Sequence, residues 1–177
     1  DGIKLQNSHA FYVIRGIARV NLSYKKTYNE NENELKLIIS DAISDYNFAL
    51  ENWDNKYFKY GNKNIIPFYL SRLYNGNKDY EMQYNELKKS IKSYSESNEE
   101  VYEKIYYDLA MNCYYLEKYQ EGIEFSDLYI SKTKKDASKG YMFYIKANLL
   151  EKLEKFDLAL ETYLKSFELN GDLKLNS

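Results

Sequence analysis

Residues 155–170 read KFDLALETYLKSFELN. Phe156, Ala159, Leu160, Tyr163 and Phe167 recur at steps of three or four, the spacing of one helix face. Gly171 follows, a residue that stops a helix. Just upstream, Phe143, Ala147, Leu150 and Leu153 form a second stripe of the same period. A short turn separates the two stripes, so together they read as a helix hairpin.

The same hairpin occurs a second time. Tyr106, Ala110, Cys113 and Leu116, then Tyr119, Gly122, Ile123, Ser126 and Ile130, keep identical internal spacing. Each copy opens with an aromatic and places a small residue one turn later. After the turn comes another aromatic, and a second small residue three places on. Small side chains let two helices approach where they cross, and aromatics fill the wider gaps on either side.

The pattern extends toward the N-terminus. Tyr12, Gly16, Ala18 and Leu22 form a first-helix stripe, and Ala42, Ile43, Tyr46, Ala49 and Leu50 a second. These are separated by 14 more residues than the C-terminal pair. About seven residues added to each helix would lengthen both by roughly two turns and keep their phase. Leu35, Ile38 and Ile39 continue the stripe, which predicts long helices with a turn within Tyr28–Asn33. Between these copies lies the most degenerate one. Leu70, Ser71 and Tyr74 precede a turn at Asn75-Gly76-Asn77, and Tyr80, Leu87 and Ile91 follow it. Pro67 suits a first helical turn, where its missing N–H is not needed. Gln83 stands where a small residue is expected. Counted at Ala42, Gln83, Gly122 and Ala159, the copies are 41, 39 and 37 residues apart.

This arrangement resembles the tetratricopeptide repeat, a helix-turn-helix unit of about 34 residues. The resemblance covers residues 9–171, with repeats at about 9–53, 64–95, 103–135 and 140–171. It implies one all-α domain, a right-handed α-solenoid of about four antiparallel helix pairs. The ends read DGIKLQNS and NGDLKLNS, as if each left a second helix. A solenoid normally needs a polar capping helix. An uncapped last repeat predicts either a piece of a longer array or a homo-oligomer through that end.

Composition agrees with helices. The 177 residues include 7 glycines and 1 proline, too few for a turn-rich β fold. Tyrosine is abundant at 21 residues, and its apolar ring with a polar tip suits helix seams and binding surfaces alike. Net charge is −2, which counts against nucleic acid as a partner. Lys132, Lys134, Lys135 and Lys139 form the densest basic stretch and read as a solubilising rim. No apolar run is long enough to span a bilayer. A single cysteine allows no internal disulfide, which slightly favours a cytoplasmic chain and leaves a processed secreted or periplasmic form open.

Residues for chemistry are scarce. His9 is the only histidine and reads as a surface or capping residue. Cys113 lies on an apolar face and reads as core. Neither a zinc site, a phosphate loop nor a nucleophile elbow is visible. The expectation is a non-catalytic chain with no cofactor and no metal.

The resemblance implies instead that first helices line a concave groove for a partner's peptide or helix. In that register the groove receives Val13 and Ile17, then Phe68 and Arg72, then Tyr107, Met111, Tyr114 and Tyr115, then Tyr141, Tyr144 and Asn148. The basic clamp with which some family members grip a terminal carboxylate has no counterpart, since Val13, Ile17, Tyr107 and Met111 stand there. Two alternatives accompany this reading. One is a peptide-sensing repeat domain of a bacterial regulator, although no DNA-binding helix-turn-helix is present. The other is the accessory repeat region of a larger enzyme.

Overall fold

The computed structural model describes residues 12–19, 32–52, 63–76 and 78–171, and among these it contains helices and no strands. The helices are α1 (12–19), α2 (Glu32–Glu51), α3 (Ile66–Gly76), α4 (Tyr80–Glu96), α5 (Glu103–Tyr115), α6 (Tyr119–Lys132), α7 (Asp136–Lys152) and α8 (Phe156–Gly171). A 3-10 turn, Lys63–Ile65, leads into α3. His9, Leu22, Trp53, Asn77, the two terminal segments and the expected first turn up to residue 31 lie outside the described residues. Glu32 and Asn33, the last residues of that expected turn, are already helical. The chain divides into two compact units, Asp1–Ser93 and Tyr94–Ser177.

In the first unit, α1 and α2 run antiparallel. Tyr12 meets Phe48 with ring centroids 4.1 Å apart, Arg15 reaches Asp45, and Arg19 reaches Asp41. Partner numbers fall as α1 rises, which only opposed helices allow. Gly16 sits on the ring of Tyr46, where a Cβ would come within 3.0 Å. Tyr46 is fully buried, in a core with Val13, Ile39, Ala42, Ala49, Ile66, Leu70 and Leu73. The predicted lengthening of the second helix is present: α2 has 20 residues against 14 in α6. Pro67 lies in the first turn of α3, as its geometry favours. The Ser90 hydroxyl donates to the Asn64 carbonyl at 3.0 Å and ties α4 to the turn before α3. Gln83 is 5% exposed, so a large polar residue does occupy the position expected to be small.

The second unit is four helices in which each packs on the next, and α5 also touches α7. Gly122 of α6 is the close approach that its spacing predicts. A Cβ there would lie 3.0 Å from Cys113 Cβ on α5 and 3.0 Å from Leu149 Cδ1 on α7. Cys113, Ala110 and Ala147 are fully buried, and Ala159 is nearly so. Two buried hydroxyls are satisfied by carbonyls: Ser126 donates to Gly122 within α6 at 2.8 Å, and Ser166 on α8 donates across the seam to Gly140 on α7 at 2.7 Å. Buried residues of α7 lie on two faces, Met142, Ile145 and Leu149 on one and Ala147 and Leu150 on the other, because it has neighbours on both sides.

Four helix ends close in the same way. After α5, the Lys118 N–H donates to Cys113 O at 2.9 Å; after α7, the Lys155 N–H donates to Leu150 O at 3.0 Å. The same six-to-one bond joins Asp79 to Tyr74 and Glu99 to Tyr94. This closure needs one left-handed residue, usually glycine. Here Lys78, Asn98, Glu117 and Glu154 take it, with φ between 55° and 58°.

Candidate functional site

Helices α5 and α7 lie side by side in the second unit, and their tyrosines form a strip. Tyr107 on α5 stacks on Tyr141 of α7 at 6.1 Å and 22°. Tyr141 meets Tyr144 at 6.3 Å, and Tyr144 meets Tyr163 of α8 at 5.9 Å. Tyr129 of α6 closes edge-on against Tyr107 at 5.5 Å. Offset and edge contacts of this kind each add about 0.5–1.5 kcal/mol beyond area burial. The strip is nonetheless open: Tyr141 is 44% and Tyr144 47% exposed.

Two lysines flank the rings. Lys104 Nζ stands 4.2 Å from the Tyr107 centroid, and Lys152 Nζ 5.8 Å from that of Tyr114. Tyr114 also meets Tyr115 at 5.9 Å and Tyr119 at 6.4 Å, both edge-on. Met111 is half-buried on α5, one turn from both Tyr107 and Tyr114. The Tyr163 hydroxyl lies 2.5 Å from Asn148 Oδ1 and 2.9 Å from Glu151 Oε2. It has one proton, so it donates to one of them at a time.

Two phenols hold their protons unusually well. Burial, then the neighbouring Tyr141 phenol, pushes Tyr107 up to about 12. Burial, then the bond to Glu151, pushes Tyr163 up to about 12. Near neutral pH these two hydroxyls therefore stay neutral, and the strip as a whole offers electron-rich ring faces. Such a surface suits apolar, aromatic or cationic side chains and backbone amides.

The residues expected to face a partner fall into three groups. Tyr107, Met111, Tyr114, Tyr141, Tyr144 and Asn148 come together in the second unit. Val13 and Phe68 are 4% and 3% exposed, inside their own unit, because α1 and α3 turn these positions inward. Ile17 packs on the core of the first unit, and Arg72 is half-buried on α3. Tyr129 and Tyr163 carry no separate signal in the sequence, since a tyrosine on a second helix looks like core filling, and Lys104 and Lys152 look like ordinary solvated helix positions.

The lysine stretch after α6 borders a cleft of about 530 Å³ with Glu100, Tyr102 and Glu103. Lys132 bonds Glu100 there at 3.0 Å. Cys113 is fully buried at the α5–α6 crossing. Among the described residues no three His, Cys, Asp or Glu side chains are grouped to hold a metal ion. No described helix is long and apolar enough to cross a membrane.

Stacked hairpins with small residues at their crossings define the class: an all-α, tetratricopeptide-type helical repeat protein. More particularly, residues 11–171 match the family described as Iml2/Tetratricopeptide repeat protein 39, and the chain belongs to that family. A solved structure titled MamA AMB-1 shares the fold, at TM-score 0.55 and 14% identity, with all of both chains covered. Comparison with curated proteins returned no match. Membership in a repeat family of this type makes the chain a protein-interaction scaffold.

Proposed function

We propose that the tyrosine strip of α5 and α7 is a non-catalytic docking surface for a peptide or helix of a partner protein. The observation that carries this reading is the run Tyr107–Tyr141–Tyr144–Tyr163, ring against ring with its middle members exposed. Tyrosine buries area at low entropic cost, so such runs are favoured contact surfaces. Met111 and Tyr114 extend it along α5. The Asn148 amide N–H groups would hold the partner's backbone while its oxygen stays with Tyr163. Arg72 is a separate proposed contact of the first unit, whereas Phe68 is too deeply buried to serve.

The test selects binding peptides from a displayed library with the wild-type chain and measures them on Tyr141→Ala/Tyr144→Ala. Both rings are nearly half exposed and lie outside the core, so helical circular dichroism should be unchanged while affinity falls about tenfold or more, roughly 1.4 kcal/mol. Equal affinity on the variant would move the binding surface elsewhere. Tyr107→Ala is a harsher change, because Tyr107 is half-buried and its ring packs on both Tyr129 and Tyr141.

A further inference from the structure

The internal repeat makes α6 and α8 directly comparable, position by position, 37 residues apart. α6 is covered on its outer side by α7. Among the described residues nothing covers the counterpart face of α8. Ile123 is 7% exposed, and its counterpart Leu160 is 62% exposed. Phe156, Leu164 and Phe167 are 63%, 55% and 73% exposed. At about 100° per residue these four share a stripe roughly 80° wide, with Tyr163 at its inner margin. The stripe runs into a depression of about 420 Å³ lined by Tyr144, Tyr163, Leu164, Phe167 and Asn170.

The way α6 is covered suggests what fits α8. Leu149 of α7 lies where a Cβ on Gly122 would touch it. Two lysines bind the flanks of α6: Lys146 reaches Asp127 at 2.6 Å, and Lys155 reaches Gln120 at 3.2 Å. On α8, Leu164 replaces Asp127 in the sequence, which widens the apolar stripe. Asp157 replaces Gln120, so a neutral acceptor becomes a carboxylate. Asp157, Glu161 and Glu168 share the edge beside the stripe, with Lys165 bonded to Glu161 at 2.6 Å. That edge carries three acids and one base.

We propose that this face of α8 docks an amphipathic helix of a partner protein, with an apolar stripe at three- and four-residue spacing and a flank of Lys or Arg. A second copy of α8 fits less well. Two identical helices packed antiparallel about a two-fold axis bring the same edge of each together. The acidic rows would then face each other, and like charges across a contact cost affinity. The surface lies on α8 and is separate from the strip on α5 and α7 in all but Tyr144 and Tyr163.

Two synthetic amphipathic helices test this, identical in their leucine stripe, one flanked by lysines and one by glutamates. The Lys-flanked peptide should bind about tenfold tighter at low salt, roughly 1.4 kcal/mol, and the preference should shrink as salt rises. Leu160→Asp/Leu164→Asp should remove binding without changing helical circular dichroism, since both side chains are exposed. Asp157→Lys/Glu168→Lys should reverse the preference, and Tyr141→Ala should leave it intact. Equal binding of the two peptides, or full binding by the leucine variant, overturns the proposal. So does loss with Tyr141→Ala, which would put the peptide on the tyrosine strip. Sedimentation showing a dimer of the chain that Leu164→Asp dissolves would make a second copy the occupant and also overturn it.

Discussion

The α1–α2 hairpin and the α5–α6 hairpin solve one packing problem with different chemistry. Between α5 and α6 the helices close because Gly122 and Cys113 are small. Between α1 and α2 the glycine is opposed by the whole ring of Tyr46, and charge does the joining. Asp45, 2% exposed, accepts a fork from Arg15, with Nε at 2.9 Å and Nη2 at 2.5 Å, and a further bond from Arg19. Arg19 also donates to the Asp41 carbonyl at 3.1 Å. Arg15 stacks over Tyr12 at 4.7 Å as well. The bonds to Asp45 come first among the causes that raise the Arg15 pKa, with burial opposing. Topology is thus shared, while the source of specificity is not. Small residues set how closely helices approach, whereas a buried ion pair fixes which residues face each other.

That contrast can be broken most sharply at Asp45. Asp45→Ala leaves two guanidiniums without their shared acceptor and should cost about 3 kcal/mol, at the lower end for a broken buried pair because both arginines reach solvent. Hydrogen exchange should rise in residues 32–51 and 63–76 and stay unchanged in 103–171. An equal rise in both units would show that they unfold as one block. Gly122→Val attacks the other hairpin. Its side chain must displace Cys113 and Leu149, an overpacking cost of about 2 kcal/mol. The urea midpoint should fall, and exchange protection should be lost in α5–α7 only. The smallest effect is a gain. Glu117 and Glu154 hold the left-handed conformation that glycine adopts freely. Glu117→Gly or Glu154→Gly relieves about 1 kcal/mol of strain and returns part as chain entropy, for a net gain of about 0.5 kcal/mol. A lower urea midpoint in either variant would show that the glutamate makes contacts worth more than the strain.

The second unit was the more legible in sequence, for a physical reason. A crossing made by small residues leaves a periodic trace: Ala110, Gly122, Ala147 and Ala159 each recur at their expected places. A buried ion pair leaves none. Arg15 and Asp45 are 30 residues apart, and each alone looks like a solvated helix position. The facing of α1 and α3 escaped for a related reason. Val13 and Phe68 sit on stripes whose inward side depends on neighbours in three dimensions, not on spacing alone. The site was half legible. First-helix tyrosines were found from the repeat register, but Tyr163 joins the strip from the other helix of its pair.

Cys113 has a practical consequence. The chain has one thiol, and it is sealed beneath Gly122 at the α5–α6 seam. A thiol-reactive dye can label it only in molecules whose seam has parted. Labelling rate therefore acts as a latch sensor for that seam, readable in unmodified protein without placing a probe.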